Sequence, residues 1–171
     1  MRILACLTIF FLCACKERRF RVPTGAMEPT ISAGGFVKAD MNAYESSEPK
    51  IGDLVVFEAP RAALSPGMNV KELPLYVKRV VGIPNDKISF GGPVITRNGR
   101  ALPKFGSANL IGISAMPNSS GLKSFMKVGT ELNVPEDHYF VVGDNGGTSS
   151  DSRFWGPIHI SKIQGKVTTI E

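Results

Sequence analysis

A mostly β fold is predicted by three features of this 171-residue chain. Beyond Arg21 no window repeats apolar residues at the 3.6-residue helical period over any length. Short runs rich in β-branched and aromatic residues recur instead, bounded by clusters of Gly, Pro, Asn and Ser. Finally, "TRNGRAL" holds Asn98-Gly99, a pair that tolerates the positive φ angles of a two-residue type I′ turn and so closes a tight hairpin from Val94 to Leu102.

In chain order, the first candidate strand is Phe20 to Pro23, which leads into small and polar residues crowded between two prolines, "PTGAMEP". Gly35 to Ala39 follows a glycine pair, and Leu54 to Glu58 follows Gly52-Asp53. Tyr76 to Ile83 is the longest, bracketed by Pro74 and Pro84. Lys87 to Phe90 comes after the turn residues Pro84-Asn85, and Val94 to Arg97 is the first arm of the hairpin. His138 to Gly143 runs into a Gly-rich segment, Gly165 to Ile170 is last, and some helix is expected near this end. From Pro103 to Thr130 the texture loosens into Ser, Gly, Asn, Lys and Met, which reads as a variable insertion, either a solvated connection or a partner-binding excursion.

A composition of 43% hydrophobic and 20% charged residues suits one globular domain, here assigned to residues 20–171. The net charge of +5 comes without a basic helix, zinc spacing or aromatic-basic motif, so nucleic acid is not an expected partner and an anionic membrane surface is. Residues 1–15 carry an apolar run from Ile3 to about Ala14, shorter than the roughly 20 residues of a membrane-spanning helix and in the range of an export signal. "LCAC", Leu12 to Cys15, has a small residue before a cysteine, as in bacterial lipoprotein signals, which makes Cys15 a candidate lipid anchor; an uncleaved short signal is the alternative. All three cysteines lie in this segment, so the body holds no disulfide.

Three stretches of the body can carry chemistry. In "LYVKRVVGIPND", strand alternation puts Tyr76, Lys78 and Val80 on one face and Arg79 on the other. A lysine on a buried face loses its charge more easily and can serve as a general base near neutral pH; on an exposed face, Lys78-Arg79 is a solvated pair. In "VVGDNGGTSSDSRFWGPI", a strand ends in a Gly-rich turn followed by hydroxyls, of which Ser149, Ser150 or Ser152 could hydrogen-bond an amine, an Asp151/Arg153 pair and a tryptophan; in isolation this is a surface turn with a salt bridge. His138 and His159 are far apart in sequence, and no His or Cys cluster marks a metal or cofactor site.

Taken together, "PTGAMEPTI", "GDLVVF", "YVKRVVGIPND" and "GDNGGTSSDSRFWG" resemble, in order, the motif boxes of type I signal peptidases, over roughly Phe20 to Lys166. The resemblance implies coiled antiparallel sheets and a serine-lysine endopeptidase at the bacterial cell membrane, its catalytic domain on the extracytoplasmic face and most simply a monomer. It implies a substrate too: signal peptides of exported preproteins, laid as an extra strand along Phe20 to Thr24 and Leu73 to Lys78. Position by position it makes Lys78 the general base, Ser149 the hydroxyl that orients it and Thr24 an oxyanion-hole donor. Asp151 and Arg153 become a structural pair, Asp144 and Asn145 shape the turn, and Val22, Met27, Leu75 and Tyr76 line small-residue pockets.

One position departs decisively. Ala26 stands where the family's nucleophilic serine belongs, and a methyl group cannot attack a carbonyl. Three readings follow: a natural pseudoenzyme that still binds peptides at the membrane, an introduced inactivating substitution, or Thr24 as a displaced nucleophile. A maturation protease of a secretion or conjugation apparatus shares the same chemistry with a different client. Gly146 and Gly147 also depart, from a charged pair in the family's pattern.

Overall fold

The computed structural model describes residues 16–64, 71–90, 94–102, 125–126 and 129–171. The described residues form eleven strands: β1 (Glu17–Arg21), β2 (Phe36–Asp40), β3 (Leu54–Glu58), β4 (Leu75–Gly82), β5 (Lys87–Phe90), β6 (Ile95–Arg97), β7 (Arg100–Ala101), β8 (Glu131–Asn133), β9 (His138–Val142), β10 (Ile158–His159) and β11 (Ile163–Ile170). One short α-helix among the described residues, α1 (Ser152–Trp155), precedes β10, and the C-terminal end, where some helix was expected, is the strand β11. The strands build a seven-stranded sheet in the order β1-β2-β11-β3-β4-β9-β10 and a four-stranded sheet in the order β7-β6-β5-β8. Every pairing is antiparallel, as predicted.

Predicted and observed strands agree where apolar runs are dense. β3 and β5 match residue for residue, and β4 differs by one residue at each end. The hairpin forms as expected: Asn98 and Gly99 adopt φ of 51° and 73°, and Thr96 pairs with Ala101. β1 begins at Glu17, three residues before the predicted start, because "ERR" pairs with β2 while its charged side chains stay in solvent. Charged residues are what an edge strand tolerates. The lipid-anchor candidate Cys15, the N-terminal segment and most of the 103–130 insertion lie outside the described residues.

Three apolar clusters hold the sheets. Val81, Phe140 and Val142 of the large sheet pack with Ile88 and Ile95 of the small one, together with Met126 and Val134. Val55, Phe57, Val80, Tyr139, Val141 and Ile158 form a second cluster. The third, Val22, Met27, Ile31 and Val37, with Phe20, Leu54, Val77 and Val167 packed against it, fastens the segment after β1 to the middle of the large sheet. At roughly 1.5–3 kcal/mol for each fully buried side chain, this small cluster is enough to fix where the "PTGAMEPTI" segment lies.

Candidate active site

Lys78 lies near the centre of β4, between β3 and β9, and is only 5% exposed. Register with β3 is regular through Lys78, which pairs with Val55, and shifts against β9 only between Val80 and Gly82. The alternation read from sequence therefore holds, and the buried alternative is the one realised. The ammonium donates to the Val77 carbonyl at 3.2 Å and stands 5.4 Å from the centre of the Tyr76 ring. Burial is the main cause that lowers its pKa from 10.5 to about 8; the charges of Asp151 and Asp144 oppose the shift and that of Arg153 adds to it. An amine poised there exchanges a proton readily near neutrality.

Facing it is the 3-10 turn Gly25–Met27, entered from the extended residue Thr24. Ala26 is 7% exposed and Met27 1%. Asn145 secures this turn with two bonds, its amide to the Ala26 carbonyl and its side-chain nitrogen to the Gly25 carbonyl, both at 3.1 Å. Met27 is further tied by the bond from the Ile31 amide to its carbonyl. Contact is close: a Cβ on Gly143 would lie 2.5 Å from the Ala26 carbonyl oxygen and 2.2 Å from Ser149 Oγ, so only glycine allows the loop after β9 to reach the turn.

That loop is braced by two buried ion pairs. Asp151 receives Arg153 Nε at 2.7 Å and Nη2 at 2.8 Å, accepts the Gly143 amide at 2.9 Å, and caps α1 by accepting the Arg153 amide. Arg153 also donates to the Gly146 carbonyl at 2.9 Å. Asp144 is held from the other side by Arg79, Nε at 2.7 Å and Nη2 at 2.5 Å, and by the Thr30 hydroxyl. Asp144 is thus a buried ion-pair partner as well as a turn residue. Arg79 and Thr30 were not singled out from sequence, because their partner is 65 and 114 residues away.

A cleft of about 290 Å³ runs between the two segments, lined by Arg21, Val22, Pro23, Thr24, Ala26 and Met27 on one side and by Pro74 through Lys78, with Thr148 and Ser150, on the other. Every predicted pocket residue, Val22, Met27, Leu75 and Tyr76, lines it, as do Thr24, Ala26 and Lys78. Ser149 does not. Its buried hydroxyl makes no hydrogen bond, and the lysine donates to Val77 instead of to it. Ser150, one of the hydroxyls read from sequence as able to bond an amine, lines the cleft, as does Thr148, which was not singled out. Away from it, His138 and His159 prove to be cross-strand partners with ring centres 5.0 Å apart, and no group of three or more His, Cys, Asp or Glu among the described residues is arranged to hold a metal ion.

A turn of small residues and a buried lysine share one sheet-walled cleft, whose lining draws on three of the four sequence boxes. The chain belongs to the signal peptidase family, described as "Signal peptidase, peptidase S26", whose model matches residues 1–170. Among curated proteins it is similar to signal peptidase I of Pseudomonas fluorescens, 29% identical over 176 residues covering 84% of this chain and 57% of that protein. It is also similar to a probable signal peptidase I-2 of Synechocystis, 29% identical with coverage of 88% and 60%, and to a chloroplastic thylakoidal processing peptidase 1 of Arabidopsis thaliana, 28% identical with coverage of 93% and 43%. The chain thus spans less than two thirds of the length of these relatives. A crystal structure of a signal peptidase I from Enterococcus faecalis matches 71% of this chain and 98% of its own, at 22% identity and a TM-score of 0.48.

Proposed function

We propose that this chain engages signal peptides of exported preproteins in an extended conformation at a membrane surface and, with alanine at position 26, does not cleave them. The observation that carries the reading is the pairing of Ala26 with Lys78 in one cleft: the base is buried and poised, and the residue it would deprotonate has no hydroxyl. Serine-lysine catalysis needs the lysine to take the serine proton while donors stabilise the tetrahedral oxyanion. Lys78 fits the base, and Thr24, at the lip of the turn, fits a donor.

Thr24 is a poor substitute nucleophile. Thr24 is extended and precedes the 3-10 turn that carries Ala26, so its hydroxyl leaves the backbone two residues before the nucleophile position, and attack geometry does not tolerate a misplacement of even about 1 Å. The walls, by contrast, suit a peptide backbone: β1 is an edge strand continuing into Val22-Pro23-Thr24, and the pairing of β4 extends past its end through the bond from the Ala59 amide to the Pro74 carbonyl. Membrane contact falls to residues 1–15, with acylation at Cys15, and to Lys16, Arg18 and Arg21, which attract anionic lipid on the extracytoplasmic face. No helix among the described residues is long and apolar enough to cross a membrane.

Incubation with a purified preprotein tests the proposal. The protein should leave it intact, and Ala26→Ser should cleave it in a manner abolished by Lys78→Met, a loss of several orders of magnitude. Cleavage by the alanine form that disappears in Thr24→Val would overturn the reading.

A further inference from the structure

The peptide-cleft reading leaves open which part of a peptide the cleft holds best, and this inference rests on that reading. Lys78 is 5% exposed and, among the described residues, forms no ion pair; its one hydrogen bond goes to a carbonyl of its own strand. The acids nearest in charge, Asp151 and Asp144, are each already bound by an arginine. The hydroxyls of Ser149 and Ser150 are buried without a hydrogen bond, and Ser150 lines the cleft. A buried cation without a counter-charge and buried hydroxyls without partners both cost stability. The cleft, lined mostly by apolar residues, therefore carries the buried charge of Lys78 and the idle hydroxyl of Ser150, which an arriving anion would satisfy.

Ala26 decides what kind of anion fits. Ala26 lines the cleft with Lys78, and a serine there would add a hydroxyl able to compete for the lysine's hydrogen bonds. A methyl group is smaller and neither attacks nor competes for the lysine proton. An internal amide brings no charge to offset Lys78; a chain end brings a full one. We propose that the cleft is a receptor for the free C-terminal carboxylate of peptides ending in small residues, with Lys78 pairing one oxygen and the hydroxyls of Ser150 and Thr24 available to the other. Such an end is what cleavage after a small residue leaves behind, so the reaction class that supplies this ligand is endoproteolysis by another enzyme.

Calorimetric titration of the unaltered protein with two N-acetylated peptides of one sequence ending in Ala-Leu-Ala, one a free acid and one a C-terminal amide, tests the proposal. At pH 7 the acid should bind at least tenfold more tightly, and Lys78→Met should bring it down to the level of the amide. Binding of the acid should be constant below the lysine pKa of about 8 and weaken about tenfold per pH unit above it, because one proton is linked to binding. Equal affinity for acid and amide overturns the inference while leaving the peptide cleft intact. Binding of neither overturns both. A preference that survives Lys78→Met overturns the inference as well, since the charge would then be read elsewhere.

Discussion

Lys78 carries a free-energy cost whose sign follows from its pKa. The folded value of about 8 lies below the ordinary 10.5, so the unfolded chain binds the proton more tightly. The cost begins as pH falls below 10.5, grows until about 8, and is constant below that; stability accordingly rises with pH between the two values. That depression corresponds to about 3 kcal/mol at neutral pH. Lys78→Met keeps the bulk of the side chain and removes the charge, so urea denaturation at pH 7 should show a gain of up to about 3 kcal/mol that shrinks toward zero near pH 10.5. A gain independent of pH would mean packing, not desolvation, is the cause. Arg153 shows the reverse case at the same scale. It is fully buried and balanced by Asp151, so Asp151→Asn should cost about 3–5 kcal/mol by leaving a buried charge unmatched.

Among the elements, the turn Gly25–Met27 and the loop after β9 act as one unit, joined by Asn145 and by the close approach at Gly143. Gly143→Ala would drive a methyl into the Ala26 carbonyl and Ser149, and backbone is not free to yield as a flexible side chain is. In an Ala26→Ser background this substitution should abolish regained cleavage, while circular dichroism still reports a β-rich fold. Full activity would show that the turn does not depend on that contact. These elements also mark what sequence can reveal. β3, β4, β5 and the Asn98-Gly99 hairpin were legible because apolar density and turn chemistry are local signals. β8, "ELN", and β10, "IH", are two or three residues long and owe their form to their neighbours β5 and β9. The cleft residues were legible through motif boxes, whereas the bond of Arg79 to Asp144 and the idle hydroxyl of Ser149 depend on how distant segments meet.

At the scale of the molecule, the packing that joins the two sheets and the lining of the cleft use different residues. The cluster of Ile88, Ile95, Val134 and Met126 with Val81, Phe140 and Val142 ties the small sheet to the large one, and none of these side chains lines the cleft. Ile88 is fully buried, with its Cδ1 packed so closely over Gly82 that a Cβ there would come within 2.9 Å. Ile88→Ala should therefore lose the transfer energy of the missing carbons and leave a cavity that the two sheets cannot wholly close, a loss of about 2–5 kcal/mol. Lys78 is shielded by β3, β9 and the Ala26 turn, and its surroundings do not include the small sheet. Peptide affinity measured well below the melting temperature should consequently match that of the unaltered protein, even as the denaturation midpoint falls. A parallel loss of affinity at temperatures where the variant is fully folded would show that the small sheet holds β4 in position. The cleft would then depend on the packing of the whole molecule.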